Sequence, residues 1–296
     1  LSLHDALPIY ASVVRGCEYL SSTPKYNLLY EAFGWEIPTY IHLPLIMGKD
    51  ADGNVSKLSK RHGATGFYDL IDEGYLPEAI INYIALLGWC PKDNQEIFTL
   101  KELEKAFDIS GISKSPAVFD YDKLSWFNGE YIKAMTPEKF TEVAMPYYKK
   151  VFGDKQMPYE KFAAILQKRT TQLTQIPEML DFFAELPSYT KELFVNKKSK
   201  TNLENSPVVL KEAYDRLKAM PEWNETSIHD CLINMAVEKE LKNGTVMWPV
   251  RIAAAGKTVT PGGAVEILDI LGRDESLACS AIRTGRSQKS VEISGL

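Results

Sequence analysis

Residues 11–48 read ASVVRGCEYLSSTPKYNLLYEAFGWEIPTYIHLPLIMG, and this stretch decides the fold class. Ala11 to Val14 is a short apolar run that stops at Arg15-Gly16. Tyr40 to Met47 is a second run that stops at Gly48. Between them, Thr23 to Phe33 reads as a helix behind a Thr-Pro start. Strand, helix and strand in that order predict a parallel α/β unit. From about residue 65 onward the periodicity is almost entirely helical. The expectation is therefore a mostly α chain that opens on a piece of an α/β domain.

Helix starts are legible further along. Thr23-Pro24, Ser115-Pro116, Thr136-Pro137, Ser206-Pro207 and Thr260-Pro261 each place a hydroxyl before a proline. Such a hydroxyl can accept from the orphan N–H groups of a first turn, and proline at the first position has no N–H to waste. Thr99 with Glu102 has capping-box spacing ahead of Leu100, Leu103 and Phe107. Between Pro77 and Gly88, Ile80, Ile81, Ile84 and Leu87 recur at helical spacing, with Gly88 as the stop. Candidate boundaries fall at Ala134 to Pro137 and at the polar stretch Asn196 to Asn205.

The chain has 296 residues, 45% hydrophobic and 25% charged, which excludes disordered and collagen-like classes. No apolar run is long enough to cross a membrane, and Leu1 to Tyr10 lacks the basic and apolar regions of a signal peptide. Net charge is −5, so any nucleic-acid contact must come from local basic patches. Cys17, Cys90, Cys231 and Cys279 are far apart and form no C-x-x-C pair, which predicts reduced thiols in a cytoplasmic protein and no metal site.

Residues 48–63 carry most of the chemistry. Lys57, Lys60 and Arg61 lie within five residues on a glycine-bearing loop, beside Ser59 and Gly63. Several cations on a mobile loop suit a pyrophosphate, whose oxygens they neutralise by charge-assisted hydrogen bonds. A solvated surface loop is the plainer reading of the same charges. Asp50, Asp52 and Asn54 imitate the start of a calcium loop, but Val55 stands where glycine is required and Arg61 where glutamate is. Gly256-Lys257-Thr258 imitates the end of a phosphate loop, yet its earlier glycine would fall at Arg251.

Lys57-Leu58-Ser59-Lys60-Arg61 resembles the KMSKS-type motif of class I aminoacyl-tRNA synthetases, in the K-L-S-K-R form of the glutamyl enzymes. Arg15 to Pro24 is similar to that family's R-G-E-E-H-L-x-x-T-P segment, with Cys17 and Tyr19 in place of Glu and His. His42-Leu43-Pro44-Leu45-Ile46 resembles its H-L-P-L-I strand end. Lys114 to Asp120, Lys123-Leu124 and Trp126-Phe127-Asn128 resemble its K-S-P-A-x-F-D and K-L-x-W-x-N segments. Gly256-Lys257 with Thr260 to Gly272 resembles its closing segment. Together these span roughly residues 11 to 278.

The resemblance implies a glutamate–tRNA ligase working with ATP and Mg2+, L-glutamate and tRNA(Glu), cytoplasmic, monomeric and not membrane-bound. It implies a remnant of the catalytic Rossmann-like domain at 1–47, a KMSKS loop and stem-contact region at 48–135, and a helical anticodon-binding domain at 136–296, with a possible subdivision near 196–205. It places Lys60 on the ATP phosphates, with Lys57 and Arg61 in support. His42, Leu45 and Ile46 would lie at the nucleotide, the last two presenting backbone groups to adenine. Arg15 and Glu18 would lie at the substrate glutamate. Arginine there suits a carboxylate because its fork is bidentate, though a strand-end arginine equally suits a structural ion pair. His62 suits either phosphate donation or plain exposure.

In the helical half, Lys197, Lys198 and Lys200 form one basic patch, and Trp248-Pro249-Val250-Arg251 with Lys257 forms another. Phosphates would meet such cations and unstacked bases would stack on aromatics or arginine; a solvated face over a buried tryptophan is the alternative. His229 and Cys231, two apart on a helix, do not share a face and make no nucleophilic pair. Tyr75, Tyr83, Trp89 and Trp126 are expected in the core. The family's H-I-G-H-type motif has no match here, and neither residues 1–10 nor 279–296 resemble it. The expectation is a C-terminal part lacking half of the active site and inactive alone, or else a tRNA-binding module without ligase activity.

Overall fold

The computed structural model describes residues 12–50, 52–59, 62, 63 and 66–283. The chain divides into two compact units, residues 1–131 and 132–296.

In the first unit, β1 (Ser12–Gly16) and β2 (Thr39–Leu43) pair in parallel, in register from Ser12↔Thr39 to Gly16↔Leu43. A 3-10 turn over Cys17–Ser22 and helix α1 (Thr23–Ala32) make the crossover. The strand–helix–strand expectation holds here. The single strand expected over Tyr40–Met47 does not. Pro44 has no N–H to continue the ladder, and the chain leaves β2 at Leu43. It re-enters as β3 (Ile46–Lys49) in a second sheet, between antiparallel β4 (Val55–Lys57) and parallel β5 (Ala117–Val118).

The β3–β4 connection is held by Asp50. Its carboxylate accepts from the backbone N–H of Asp52 (3.0 Å) and Asn54 (2.8 Å) and from Asn54 Nδ2 (3.2 Å). Gly53 supplies the left-handed φ of +87° that the turn needs. The bonds from Asn54 hold the Asp50 carboxyl below its ordinary range. The calcium-like pattern is thus a turn whose carboxylate is already used.

Helices α2 (Phe67–Asp72), α3 (Pro77–Gly88), α4 (Leu100–Ala106) and α5 (Tyr121–Ala134) complete this unit. Leu70, Tyr75, Ile80, Tyr83, Phe119, Leu124 and Phe127 form its core, with Leu58 packed against it. The α3 period is as expected, but the buried stripe is Ala79, Ile80 and Tyr83, while Ile81 and Ile84 are exposed. Trp126 also departs from expectation: it is 44% exposed, not a core residue. Thr99 and Glu102 form the capping box, each satisfying the other's backbone N–H.

The second unit is helical: α6 (Pro137–Phe152), α7 (Tyr159–Leu166), α8 (Ile176–Ala184), α9 (Asn205–Ala219), α10 (Glu225–Glu238), α11 (Asn243–Ala255), α12 (Ala264–Leu271) and α13 (Arg273–Arg283). Phe182, Leu217, Ile228, Leu232, Val246, Ile267 and Leu268 belong to one buried cluster. The stretch Asn196 to Asn205 is an ordered turn. Asn196 and Thr201 pair across it, Lys200 adopts a left-handed φ of +54°, and Thr245 Oγ1 donates to Ser199 O (2.7 Å).

Of the five hydroxyl–proline pairs, only Thr136 caps as expected, accepting from Lys139 N–H. Thr23 is already the first residue of α1. Pro116 leads into β5, and α5 is capped instead by Asp120, whose Oδ1 accepts from Asp122 and Lys123 N–H. Asn202, not Ser206, accepts at the start of α9. Thr260 Oγ1 donates to Gly262 O in a turn before α12. Proline fixes its own φ and biases its predecessor to extended backbone, so the pair marks a turn as readily as a helix start.

Candidate functional site

Three segments of the first unit converge near the end of β4. Lys57 ends β4 opposite Met47, and Leu58 N–H donates to Ile46 O (3.0 Å) while its side chain packs on the core. Lys57 Nζ lies 3.5 Å from Glu18 Oε1, joining this loop to the turn after β1. The Glu18 carboxyl is held below its ordinary range, first by its own backbone N–H and then by Lys57. Lys60 and Arg61 lie outside the described residues. His62 follows, half-buried, with its ring against Gly48 and hydrogen-bonded to Ser56 and Ser59.

Arg15 projects from β1, and among the described residues it has no carboxylate partner, so the ion-pair alternative finds no support. Three tyrosines surround its guanidinium instead: Tyr26 at 5.1 Å, Tyr19 at 5.4 Å and Tyr40 at 5.4 Å. Rings attract the cation through their faces while leaving its N–H groups available. Sequence reading missed this cage. The available signal was the register: Arg15 pairs with His42, so Tyr40, two residues before His42, projects from the same face of the sheet.

His42 is engaged below. Thr23 Oγ1 lies 3.0 Å from Tyr19 O and 3.1 Å from His42 Nε2, so the hydroxyl ties the histidine ring to the turn after β1. Leu45 O and Ile46 O already accept from Ala117 N–H and Leu58 N–H. These residues hold the sheet, and at both positions a base would meet a carbonyl that already has a partner.

The second unit carries a cleft of about 970 Å3 lined by Arg169, Gln175, Met179, Lys257, Val259 and Thr260 among others. Arg251 stands on α11 with its guanidinium carbon 4.6 Å from the Trp248 ring centre. It donates to Thr258 O (3.0 Å), and its Nε is buried with no partner among the described residues. Burial, and then the charge of Arg169, push its pKa down. Arg169 donates to Thr260 O (3.3 Å). The two guanidinium groups are close enough to disfavour each other and neither has an ion-pair partner among the described residues, a combination that suits an anion or a base edge.

Lys257 differs from expectation: its Nζ is 2.6 Å from Asp181 and 3.0 Å from Glu178 O, so its charge is already neutralised. Arg169 was not foreseen. Its signal was the dibasic Lys168-Arg169 directly after α7. Gly256 takes φ +65° at the end of α11, so the phosphate-loop imitation sits at a helix C-terminus, the wrong end for anions. Lys197, Lys198 and Lys200 are exposed and have no ion-pair partner among the described residues.

Comparison with known proteins matches the two units separately. Residues 2–126 fit the catalytic domain of class I tRNA synthetases (E and Q), and residues 139–279 fit an anticodon binding domain. The glutamate–tRNA ligase of Clostridium kluyveri is 54% identical over 273 residues, which is 92% of this chain and 55% of that protein. The ligase of Clostridium tetani is 52% identical over the same shares. The chain is a homologue of the glutamyl-tRNA synthetases. It spans about half the length of the curated relatives it matches. Among solved structures, a glutamate tRNA ligase from Elizabethkingia meningosepticum, in complex with its amino acid, aligns with a TM-score of 0.78 at 29% identity, covering 93% of this chain and 57% of that one. The glutamate-tRNA synthetase of Elizabethkingia anophelis gives 0.77 at 28%. The mostly helical fold is thus a class I catalytic segment followed by an anticodon-binding domain.

Proposed function

We propose that the chain supplies the phosphate-gripping loop and the anticodon-reading half of a glutamate–tRNA ligase. The substrate carboxylate attacks the α-phosphorus of ATP, the bond to the bridging oxygen breaks, and pyrophosphate leaves. The ribose hydroxyl at the tRNA 3′ end then takes the glutamyl group and AMP departs. Catalysis of this kind rests on positioning and on neutralising the charge that develops on the leaving group. Lys57, Lys60 and Arg61 supply the cations, Mg2+ enters with the triphosphate, and Arg15 grips the glutamate carboxylate with Glu18 beside it. His42, Leu45 and Ile46 shape the floor at the adenine.

The observation that carries this reading is Arg15: a half-buried arginine held by three rings and, among the described residues, by no carboxylate, three residues before the glutamate that meets Lys57. Glutamate-dependent ATP–pyrophosphate exchange by a protein of the relatives' full length carrying this sequence is the test. Exchange should fall sharply on Lys60→Ala; indifference to that change would sink the reading.

A second reading has its own support. The second unit has its own buried core and the Arg169–Arg251 pair, which has no carboxylate partner among the described residues, and these support a tRNA-binding module alone. Salt-dependent tRNA binding without exchange would favour it. Among the described residues no helix is long and apolar enough to cross a membrane. We propose a monomer working in the cytoplasm, where its substrates are.

A further inference from the structure

We propose that His62 is a positioning residue for the KMSKS-type loop, clasping Ser56 and Ser59 so that the segment between them holds Lys57 toward its phosphate. This rests on the ligase reading above.

The geometry at the ring is specific. Ser59 N–H donates to His62 Nδ1 at 3.1 Å, and Ser59 Oγ lies 3.1 Å from the same nitrogen. Nδ1 also lies 3.2 Å from Ser59 O, but that carbonyl already accepts from His62 N–H (2.9 Å). A proton on Nδ1 would leave Ser59 N–H facing a donor. The arrangement that pairs every group keeps Nδ1 bare and the proton on Nε2, which donates to Ser56 Oγ at 3.1 Å. One ring thus ties β4 to the loop that follows it, across Lys57 and Leu58.

The ring is seated as well as bonded. It lies on Gly48 of β3, where an added Cβ would come within 2.5 Å of the ring carbon Cγ. Gly48 is buried and pairs with Ser56 across the sheet. Leu58 anchors the segment below, on the core and on Ile46 O. With Leu58 held from one side and His62 closing the other, the backbone carrying Lys57 has little freedom. A loop ordered before reaction spends less binding energy on its own positioning.

Two sets of measurements test this. In the chain itself, the His62 ring should show the neutral Nε2–H tautomer by nitrogen NMR, and the Ser59 amide should be protected from exchange. Protection should be lost in His62→Ala and in His62→Gln, whose amide oxygen reaches only the Nε2 position. It should be kept in His62→Asn, whose Oδ1 replaces Nδ1. Unchanged protection in His62→Ala would overturn the clasp without touching the ligase reading.

In a protein of the relatives' full length, His62→Ala should lower kcat for ATP–pyrophosphate exchange by on the order of ten- to a hundredfold, with KM for glutamate nearly unchanged. His62→Asn should recover most of that loss, and His62→Gln should not. Gly48→Ala should reproduce the defect by displacing the ring, and should add nothing in the His62→Ala background. A clasp seen by exchange with kcat unaffected by His62→Ala would overturn the positioning role. Absence of exchange activity in the unsubstituted protein would instead remove the ligase reading, leaving the amide measurement to decide the clasp.

Discussion

Lys57 at the end of β4 meets Glu18 in the turn after β1, Nζ to Oε1 3.5 Å, across 39 residues of chain. Both side chains are well exposed, and pairs of this kind contribute little to stability. The contact is informative about position. The Glu18 carboxylate lies over Gly16, where a Cβ would collide with it. The turn therefore brings an acid to the foot of the cationic loop while Arg15, just before it, is held by rings. Two segments that resemble separate family motifs are brought together by this approach.

Arg15→Lys keeps the charge but loses the planar fork. The ring cage still attracts an ammonium, so folding should not suffer and the melting temperature should be unchanged. Recognition of a carboxylate should suffer, because one charge-assisted bond of a bidentate pair is lost. At about 1.5–3 kcal/mol for a bond to a charged group, KM for glutamate should rise by roughly tenfold or more. A melting temperature that falls with KM unchanged would assign Arg15 to structure.

Asn128 is fully buried in the first unit. Its Oδ1 accepts from Leu76 N–H (2.8 Å) and its Nδ2 donates to Gly74 O (3.3 Å), fixing the entry to α3. Asn128→Ala leaves a buried donor and a buried acceptor unmatched, which costs about 1–3 kcal/mol for each orphaned group. The denaturation midpoint should drop without a change in slope, and hydrogen exchange at the start of α3 should accelerate. An unshifted midpoint would refute the structural role given to this residue.

How far the sequence alone reached depends on the range of the interaction. Thr99 with Glu102, and Thr136 before Pro137, are local devices whose partners lie within one turn, and both stand where expected. The β1–α1–β2 unit is legible because its apolar runs are bounded by local breakers. The break at Pro44 is local too, but the run of apolar residues around it hides that the chain changes sheets. Ile80 and Ile84 lie one turn apart on the same face of α3, yet only Ile80 belongs to the buried cluster with Leu70, Leu124 and Phe127, and how far along a helix its neighbours cover it is something periodicity cannot reveal. The Arg15 cage needs strand register, the Lys57–Glu18 contact needs two distant turns, and the Arg169–Arg251 approach needs α7 and α11 folded together. Motif resemblance named several of these residues without saying what touches them.

Asp108 provides a pH test. Ser110 N–H donates to its carboxylate (2.9 Å) and Lys92 lies 3.1 Å away, and these contacts, the backbone bond first, lower its pKa to about 2 from 3.8. A carboxylate with a depressed folded pKa stabilises fully above its unfolded value and loses that contribution as pH falls through the folded one. Asp108→Ala should therefore melt lower than the parent at pH 7. The gap should narrow below about pH 4 and be mostly closed at pH 2, where the unfolded carboxyl is protonated and the folded one is about half so. Added salt at neutral pH should remove only the part due to the exposed Lys92. A gap that stays constant down to pH 2 would contradict the depressed pKa.

Arg169 and Arg251 separate stability from function. Each guanidinium is held by a backbone carbonyl, Thr260 O and Thr258 O, yet the two charges disfavour one another. Removing Arg169 relieves that repulsion, so Arg169→Ala should not lower the melting temperature of the second unit. It should weaken tRNA binding if the cleft receives the anticodon loop. The salt dependence then tells which part of the RNA is met. Loss of one phosphate contact on a single strand reduces the slope of log K against log salt by about 0.7. Loss of a stacking or base-edge contact lowers affinity and leaves the slope as it was. Arg251, already lying over Trp248, is the better stacking surface, so Arg251→Ala should follow the second pattern and Arg169→Ala the first. Lys257→Ala should do neither, because Asp181 already neutralises that lysine. Full retention of tRNA affinity in the Arg169→Ala, Arg251→Ala double variant would show that this arginine pair does not meet RNA.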